Sequence, residues 1–145
     1  HGGIGYLYGD GSIVTAIADG ALEFPANHVA PRRMISVFSH SDVCHGVTIA
    51  GLKYVLEGAA LANTVVQGVS NEFVGGSAAT VSVESGTLIV TFPIEAPLPA
   101  VRLRHPFGGD LGALDTTVSS ALAVRGGRGA ECLASNRRRL HRHIC

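Results

Sequence analysis

The densest group of chemically reactive side chains lies at residues 39–46, SHSDVCHG, between two apolar runs of the chain. It holds two hydroxyls, a carboxylate, a thiol and two imidazoles. A loop of this kind at the ends of strands can bind a metal ion or a phosphate, or place a nucleophile beside a base. The same serine and aspartate side chains also suit a polar turn, whose backbone they would cap. Both interpretations stay open from the sequence.

The histidines are not spaced like the ligands of a metal site. Four residues separate His40 from His45, but no matching cysteine or histidine pair follows them. His141 and His143 lie in a basic tail, and His1 stands alone at the first position. A metal site needs a full ligand set with supporting groups around it. The sequence therefore predicts no metal site.

A second candidate cluster is RGGRG, residues 125–129. Glycines let successive backbone N–H groups curl around an anion, and arginines bind phosphate with two parallel hydrogen bonds. This assigns Arg125, Gly126, Gly127 and Arg128 as candidate phosphate ligands. Further along, RRRLHRH (residues 137–143) can contact nucleic acid through its phosphates, although no aromatic residues offer base stacking. A flexible, solvated arm is the alternative interpretation.

Charge and composition describe the body that must position these residues. Residues 125–145 hold six arginines against one acid, whereas residues 1–124 hold five cations against ten acids. The chain has 145 residues, 46% of them hydrophobic, with 19 glycines and no tryptophan. This length is typical of one domain. Three cysteines at unrelated spacings indicate reduced thiols, hence a cytoplasmic or virion-associated protein, although a Cys132–Cys145 disulfide stays open. No apolar run approaches the roughly 20 residues of a membrane span.

Short runs of alternating apolar residues predict strands separated by turns. Residues 79–92 are predicted as a hairpin, and residues 52–67 fit a helix or a strand equally well. The predicted fold class is all-β, a jelly-roll-like domain or small β-barrel or sandwich of about eight or more short strands that allows one short helix. The β-rich domain is predicted to span residues 1–124, and residues 125–145 form a basic, arginine-rich arm. The other strands are predicted at residues 5–8, 13–17, 21–24, 34–38, 46–50 and 101–105.

Several segments resemble, in order, the motifs of the trimeric dUTPase and dCTP-deaminase family. The segments are GYLY (5–8), FPANHV (24–29), FSHSDVCHGVTI (38–49), AGLKYVLEG (50–58), SGTLIVTF (85–92) and RGGRGAECLAS (125–135). The resemblance implies a homotrimer that binds a nucleotide triphosphate with Mg²⁺ at shared sites. It implies that Ser39 and Ser41 contact phosphate and that Tyr54 lies near the sugar. It also implies that Arg125, Gly126 and Gly127 belong to an arm that closes over the nucleotide.

Departures from the family pattern predict impaired hydrolysis. Phe38 stands where the family has its phosphate-binding arginine, and Lys53 and Tyr54 stand near the position of its catalytic aspartate. Losing a positioned general base costs roughly 10²–10⁴-fold in rate. The sequence therefore predicts a divergent protein that binds or hydrolyses a nucleotide triphosphate. Thermal unfolding with and without nucleotides tests this prediction.

Two other function classes stay open. HGVTIAGLKYVLEGAAL (45–61) resembles a segment of thioester dehydratases with the hotdog fold, which would require a continuous helix over residues 52–67. Alternatively, an acidic, glycine-rich β body with a basic tail fits a non-catalytic structural or assembly subunit, for example of a viral or cellular shell.

Overall fold

The computed structural model describes residues 4–29, 34–106 and 108–109 of the chain. The described sandwich lies within one compact unit, His1–Gly108. Its elements are ten strands, β1 (Tyr6–Gly9), β2 (Ser12–Ala18), β3 (Gly20–Phe24), β4 (Met34–Ser39), β5 (Val43–Ala50), β6 (Leu56–Ala62), β7 (Gly68–Glu72), β8 (Ala79–Ser82), β9 (Thr87–Pro93) and β10 (Ala100–Leu103). The predicted boundary between residues 124 and 125 lies outside the described residues.

The strands form two antiparallel sheets of five strands each. Sheet A has the order β1-β2-β9-β4-β7, and sheet B has the order β10-β3-β8-β5-β6. The inward side chains of both sheets belong to one hydrophobic core, so the fold is a β-sandwich. The all-β prediction is confirmed. The described residues contain no helix, and none of them forms a helical segment able to cross a membrane.

Alternation along the strands builds the core. In β2, Ile13, Thr15 and Ile17 point inward, and the Thr15 hydroxyl donates a 2.7 Å hydrogen bond to the Gly5 carbonyl. In sheet B, Phe24 packs edge-on against Phe73 and Phe92, with ring centroids 5.2 Å and 5.1 Å away. Edge-to-face rings add to the free energy that burial alone provides. These aromatic rings therefore join the two sheets at the centre of the sandwich.

The predicted hairpin over residues 79–92 is wrong, although both of its strands exist. β8 pairs with β3 and β5 in sheet B, whereas β9 lies between β2 and β4 in sheet A. The four residues between them connect one sheet to the other. Within this connection the Val83 amide donates a hydrogen bond to the Gly20 carbonyl. Alternation identified each strand, but it carries no information about which strand pairs with it.

Residues 52–67 form a turn followed by strand β6, not a helix. Gly51 and Gly58 both have positive φ, 71° and 57°, which breaks any continuous helix through this stretch. The hotdog fold requires that helix. The architecture therefore contradicts the thioester dehydratase hypothesis.

Tyr6 on the edge strand β1 gives a pH-dependent prediction. Burial raises the pKa of Tyr6 above its ordinary value of 10.0, and the neighbouring Tyr8 adds to the shift. A group whose pKa is raised by folding stabilises the fold below its unfolded pKa and loses that contribution as pH rises through its folded pKa. We expect the free energy of unfolding of the native chain, compared with Tyr6→Phe, to fall from about pH 10 upward. Denaturant unfolding at several alkaline pH values measures this; parallel curves for the two proteins would contradict it.

Candidate functional site

One edge of the sandwich gathers an exposed aromatic ring, a hydroxyl, an ion pair and a buried amide. We call it the Tyr54 surface and define it by Lys53, Tyr54, Ser70, Asn71 and Glu72. The first two residues belong to the connection between β5 and β6, and the others to β7, the edge strand of sheet A. The surface therefore lies where a connection between two strands of sheet B meets the edge strand of sheet A.

Gly51 and Leu52 fix the start of this connection. Gly51 has a φ of 71°, and a Cβ there would lie 1.9 Å from the Ala78 carbonyl oxygen, so the turn after β5 requires glycine. Leu52 is buried and forms an isolated antiparallel bridge with Phe73. The bridge directs the next two residues, Lys53 and Tyr54, to the outside beside β7.

Asn71 holds this connection against β7. Its side chain is 2% exposed and makes three hydrogen bonds to the backbone. The Tyr54 amide donates to Oδ1 at 2.9 Å, Nδ2 donates to the Tyr54 carbonyl at 2.6 Å, and the Glu72 amide donates to Oδ1 at 2.9 Å. A buried amide that is satisfied in this way fixes the backbone around it. Asn71 therefore sets the position of Tyr54.

Ser70 occupies a backbone conformation that is uncommon for its residue type. Its φ is 58°, next to an irregularity in the register between β4 and β7. The Ser70 amide donates to the buried Ser36 hydroxyl at 3.0 Å, while the Ser70 side chain is exposed and makes no hydrogen bond to another described residue. Left-handed backbone at a serine is strained, and such strain concentrates at ligand-binding sites. The bulge presents this hydroxyl to solvent.

The Tyr54 surface already stabilises a positive charge. The Lys53 ammonium lies 2.8 Å from Oε1 of Glu72 and 5.4 Å from the centroid of the Tyr54 ring. The hydrogen bond that the Lys53 ammonium donates to Glu72, followed by the charge of that carboxylate, raises the pKa of Lys53 above its ordinary value. A carboxylate beside an aromatic face is an arrangement that attracts organic cations. This surface can therefore bind a flat, positively charged molecule.

The reactive cluster at residues 39–46 covers the end of β4, the turn at residues 40–42 and the start of β5. The Ser39 hydroxyl donates to the Ser41 carbonyl at 2.6 Å and lies 3.1 Å from the buried Cys44 sulfur. The Ser41 hydroxyl accepts a hydrogen bond from the Thr87 amide at 3.1 Å, which ties the turn to β9. Both hydroxyls are thus used within the fold. Phosphate binding by Ser39 and Ser41 stays a prediction.

The structure does not bring the sequence-predicted site residues together. Ser39 and Ser41 precede β5, whereas Tyr54 follows it, and eight extended residues span roughly 20 Å. Arg125, Gly126, Gly127 and Arg128 lie outside the described residues, as does the rest of the basic arm. Among the described residues, no three histidine, cysteine or acidic side chains come close enough to hold a metal ion.

Ser70, Asn71 and Glu72 were missed by the sequence reasoning. One signal was present: Asn71 stands between Val69 and Phe73 at alternate positions of a strand, so a polar residue occupies an inward-facing position. Such a residue needs buried hydrogen-bond partners. The strain at Ser70 leaves no signal in the residue type, because serine is common in turns and strands alike.

Comparison with known proteins finds one family whose model matches part of this chain. Residues 23–88 match the family described as "Thiamin pyrophosphokinase, vitamin B1 binding domain". The thiamine pyrophosphokinase of Bacillus subtilis has a crystal structure with a TM-score of 0.54 and 23% identity, covering 61% of this chain and 40% of its own. A thiamin pyrophosphokinase family protein from Enterococcus faecalis gives 0.50 and 19%, covering 62% and 40%. No curated protein matches.

These matches overturn the function hypotheses drawn from the sequence. At these identities the solved structures show a shared fold, and this chain spans about 40% of their length. The matched family binds vitamin B1, so the dUTPase and dCTP-deaminase resemblance is wrong, and so is the hydrolase hypothesis that it implied. The structural-subunit and thioester-dehydratase alternatives are wrong for the same reason. The homotrimer, Mg²⁺ and nucleic-acid contacts stay predictions, the first two only as implications of that resemblance.

Proposed function

We propose that this chain is a vitamin B1-binding β-sandwich of the thiamin pyrophosphokinase kind, and that the Tyr54 surface contacts the vitamin. The observation that carries the proposal is that the Tyr54 surface lies within the segment that matches the family. The family match over residues 23–88 includes every residue of this surface. Strain at Ser70, burial of Asn71 and a stabilised cation at Tyr54 meet there and nowhere else among the described residues.

The chemistry of thiamin fits these groups. Thiamin carries a thiazolium cation, an aminopyrimidine ring and a hydroxyethyl group. The Tyr54 ring and the Glu72 carboxylate, which already hold the Lys53 ammonium, suit the thiazolium cation. The exposed Ser70 hydroxyl can exchange hydrogen bonds with the pyrimidine nitrogens or its amino group. Binding then displaces Lys53 from the ring while Glu72 retains a positive partner.

Pyrophosphate transfer to thiamin, which the name of the matched enzymes denotes, is a separate proposal. The matched part of those enzymes amounts to about 40% of their length. We therefore propose transfer only for an assembly that also provides the part that this chain does not cover. Thiamin binding is proposed for the chain itself.

The full chain titrated with thiamin in a calorimeter tests binding, and two tyrosines provide a matched pair. Tyr54 and Tyr8 are equally exposed, at 57% and 58%, but Tyr8 lies on β1 at the opposite edge of sheet A. We expect Tyr54→Ala to weaken thiamin binding roughly tenfold, since an aromatic face contributes up to about 2 kcal/mol toward a cation. Tyr8→Ala is expected to bind like the native chain. No heat of binding, or equal weakening by both substitutions, would refute the proposal.

A neutral analogue of thiamin shows how much of the binding depends on the positive charge of the vitamin and how much on its shape. A neutral aminopyrimidine that lacks the thiazolium ring is expected to bind several-fold more weakly than thiamin to the native chain. The difference is expected to shrink in Tyr54→Ala, because the ring that favours the cation is then absent. If the difference in affinity were the same in Tyr54→Ala, the thiazolium cation would bind to another part of the protein.

A further inference from the structure

A second concave surface, which shares no residue with the Tyr54 surface, opens beside strand β10. We call it the Arg104 groove. It is a shallow depression, largely open to solvent, with a volume of about 390 Å³. Its lining includes Asp19, Gly20, Ser82, Glu84, Arg102 and Arg104. The groove thus lies across β3, β8 and β10 of sheet B.

Small residues form the floor of the groove and arginines form one wall. Ala21 pairs with Ser82 across β3 and β8, and Arg102 pairs with Ala21 across β10 and β3. Gly20 lets β10 approach, because a Cβ there would lie 2.3 Å from the Arg102 carbonyl oxygen. Long side chains on an edge strand beside a floor of small residues create the depression.

The two arginines differ in whether a carboxylate already pairs with their positive charge. Arg102 forms an ion pair with Glu23. Arg104 has no carboxylate of the described residues within ion-pair distance; its guanidinium donates one 3.2 Å hydrogen bond to the Glu84 carbonyl. Its backbone amide donates to the Asp19 carbonyl at 3.0 Å, which fixes the residue at the end of β10. A guanidinium has five N–H donors, so most of those of Arg104 remain available.

Two acids and one hydroxyl complete the lining. The Asp19 carboxylate accepts a hydrogen bond from the Gly86 amide at 2.9 Å, and the Glu84 carboxylate lies over Gly46. The Ser82 hydroxyl makes no hydrogen bond to another described residue. The lining therefore has no net charge. A ligand must be held by directed hydrogen bonds from Arg104 and Ser82, not by a general positive field.

We propose that the Arg104 groove binds the oxyanion of a small phosphate ester. The planar guanidinium of Arg104 matches two phosphate oxygens, and the Ser82 hydroxyl donates to a third. The volume leaves room for an organic group beyond the phosphate. Because the net charge of the lining is zero, the affinity is expected to be modest, with a Kd of roughly 1 mM, equivalent to about −4 kcal/mol.

The test is an NMR titration of the ¹⁵N-labelled full chain with inorganic phosphate, glycerol 3-phosphate and acetate. We expect shifts of the amides of Gly20, Val83 and Arg104, with glycerol 3-phosphate binding most tightly. Arg104→Gln is expected to weaken binding roughly tenfold, and Ser82→Ala several-fold. Acetate binding equal to the phosphate ester would overturn the assignment to phosphate.

Matched controls keep the result specific. Lys53→Gln removes a cation outside the groove and is expected to leave the phosphate titration unchanged, while Arg104→Gln is expected to leave thiamin binding unchanged. An Arg104→Gln chain that folds and titrates like the native one would overturn the proposal. Shifts confined to the reactive cluster at residues 39–46 would overturn it as well. Because thiamin binding is measured separately, the two proposals fail independently.

Discussion

Replacing Asn71 by alanine is expected to abolish thiamin binding and to lower the free energy of unfolding by about 2–3 kcal/mol. The substitution removes the partners of the Tyr54 amide, the Tyr54 carbonyl and the Glu72 amide at once. Buried backbone groups left without partners account for the loss of stability. Binding is lost because Tyr54 no longer has a fixed position against β7. Urea unfolding and thiamin calorimetry on the same preparation measure both effects.

Two further variants separate this role of Asn71 from a general effect. Asn71→Asp keeps the oxygen that accepts from Tyr54 and Glu72 but sets a second acceptor oxygen against the Tyr54 carbonyl, so a loss at least as large as that of Asn71→Ala is expected. Asn63→Ala removes an exposed asparagine whose contact to Asp42 is long, at 3.4 Å, and is expected to change little. Normal thiamin binding by Asn71→Ala would show that Tyr54 is positioned by other contacts.

Replacing Phe24 by alanine is expected to cost about 3–5 kcal/mol of stability, the usual range for a buried phenylalanine. Phe24 is 1% exposed and contacts the rings of Phe73 and Phe92 edge-on, so its loss leaves a cavity between the two sheets. The matched control is Phe38→Ala, because Phe38 is 39% exposed on the outer side of β4. Its cost is expected to stay below about 1 kcal/mol.

Urea unfolding followed by far-ultraviolet circular dichroism measures the Phe24 prediction. For a cooperative single domain, the two variants should differ in transition midpoint with similar slopes. If Phe24→Ala and Phe38→Ala were equally stable, the aromatic contacts between the sheets would contribute nothing beyond surface packing.

Much of the functional assignment depended on contacts between residues distant in the chain. The sequence predicted that Tyr54 lies near the sugar of a nucleotide, whereas the proposal made here places it against thiamin. Asn71 lies 17 residues from Tyr54, and only the fold shows that its amide holds that residue. The residue types of the cluster at residues 39–46 indicated a reactive or ligand-binding loop. In the structure its serine hydroxyls satisfy the backbone and a buried thiol, which residue types alone do not reveal.

The sequence by itself determined the all-β class and the position of most strands, because a strand with one buried face alternates apolar and polar residues with a period of two. It also determined that Arg102 points outward from β10, with Val101 and Leu103 partly buried against the core. Only the tertiary structure decided that β8 and β9 belong to different sheets, that the Asn71 side chain holds the Tyr54 backbone by hydrogen bonds, and that Arg104 and Ser82 line the same groove. Alternation specifies which side of a strand is buried, whereas pairing and site assembly depend on long-range contacts that no local pattern encodes.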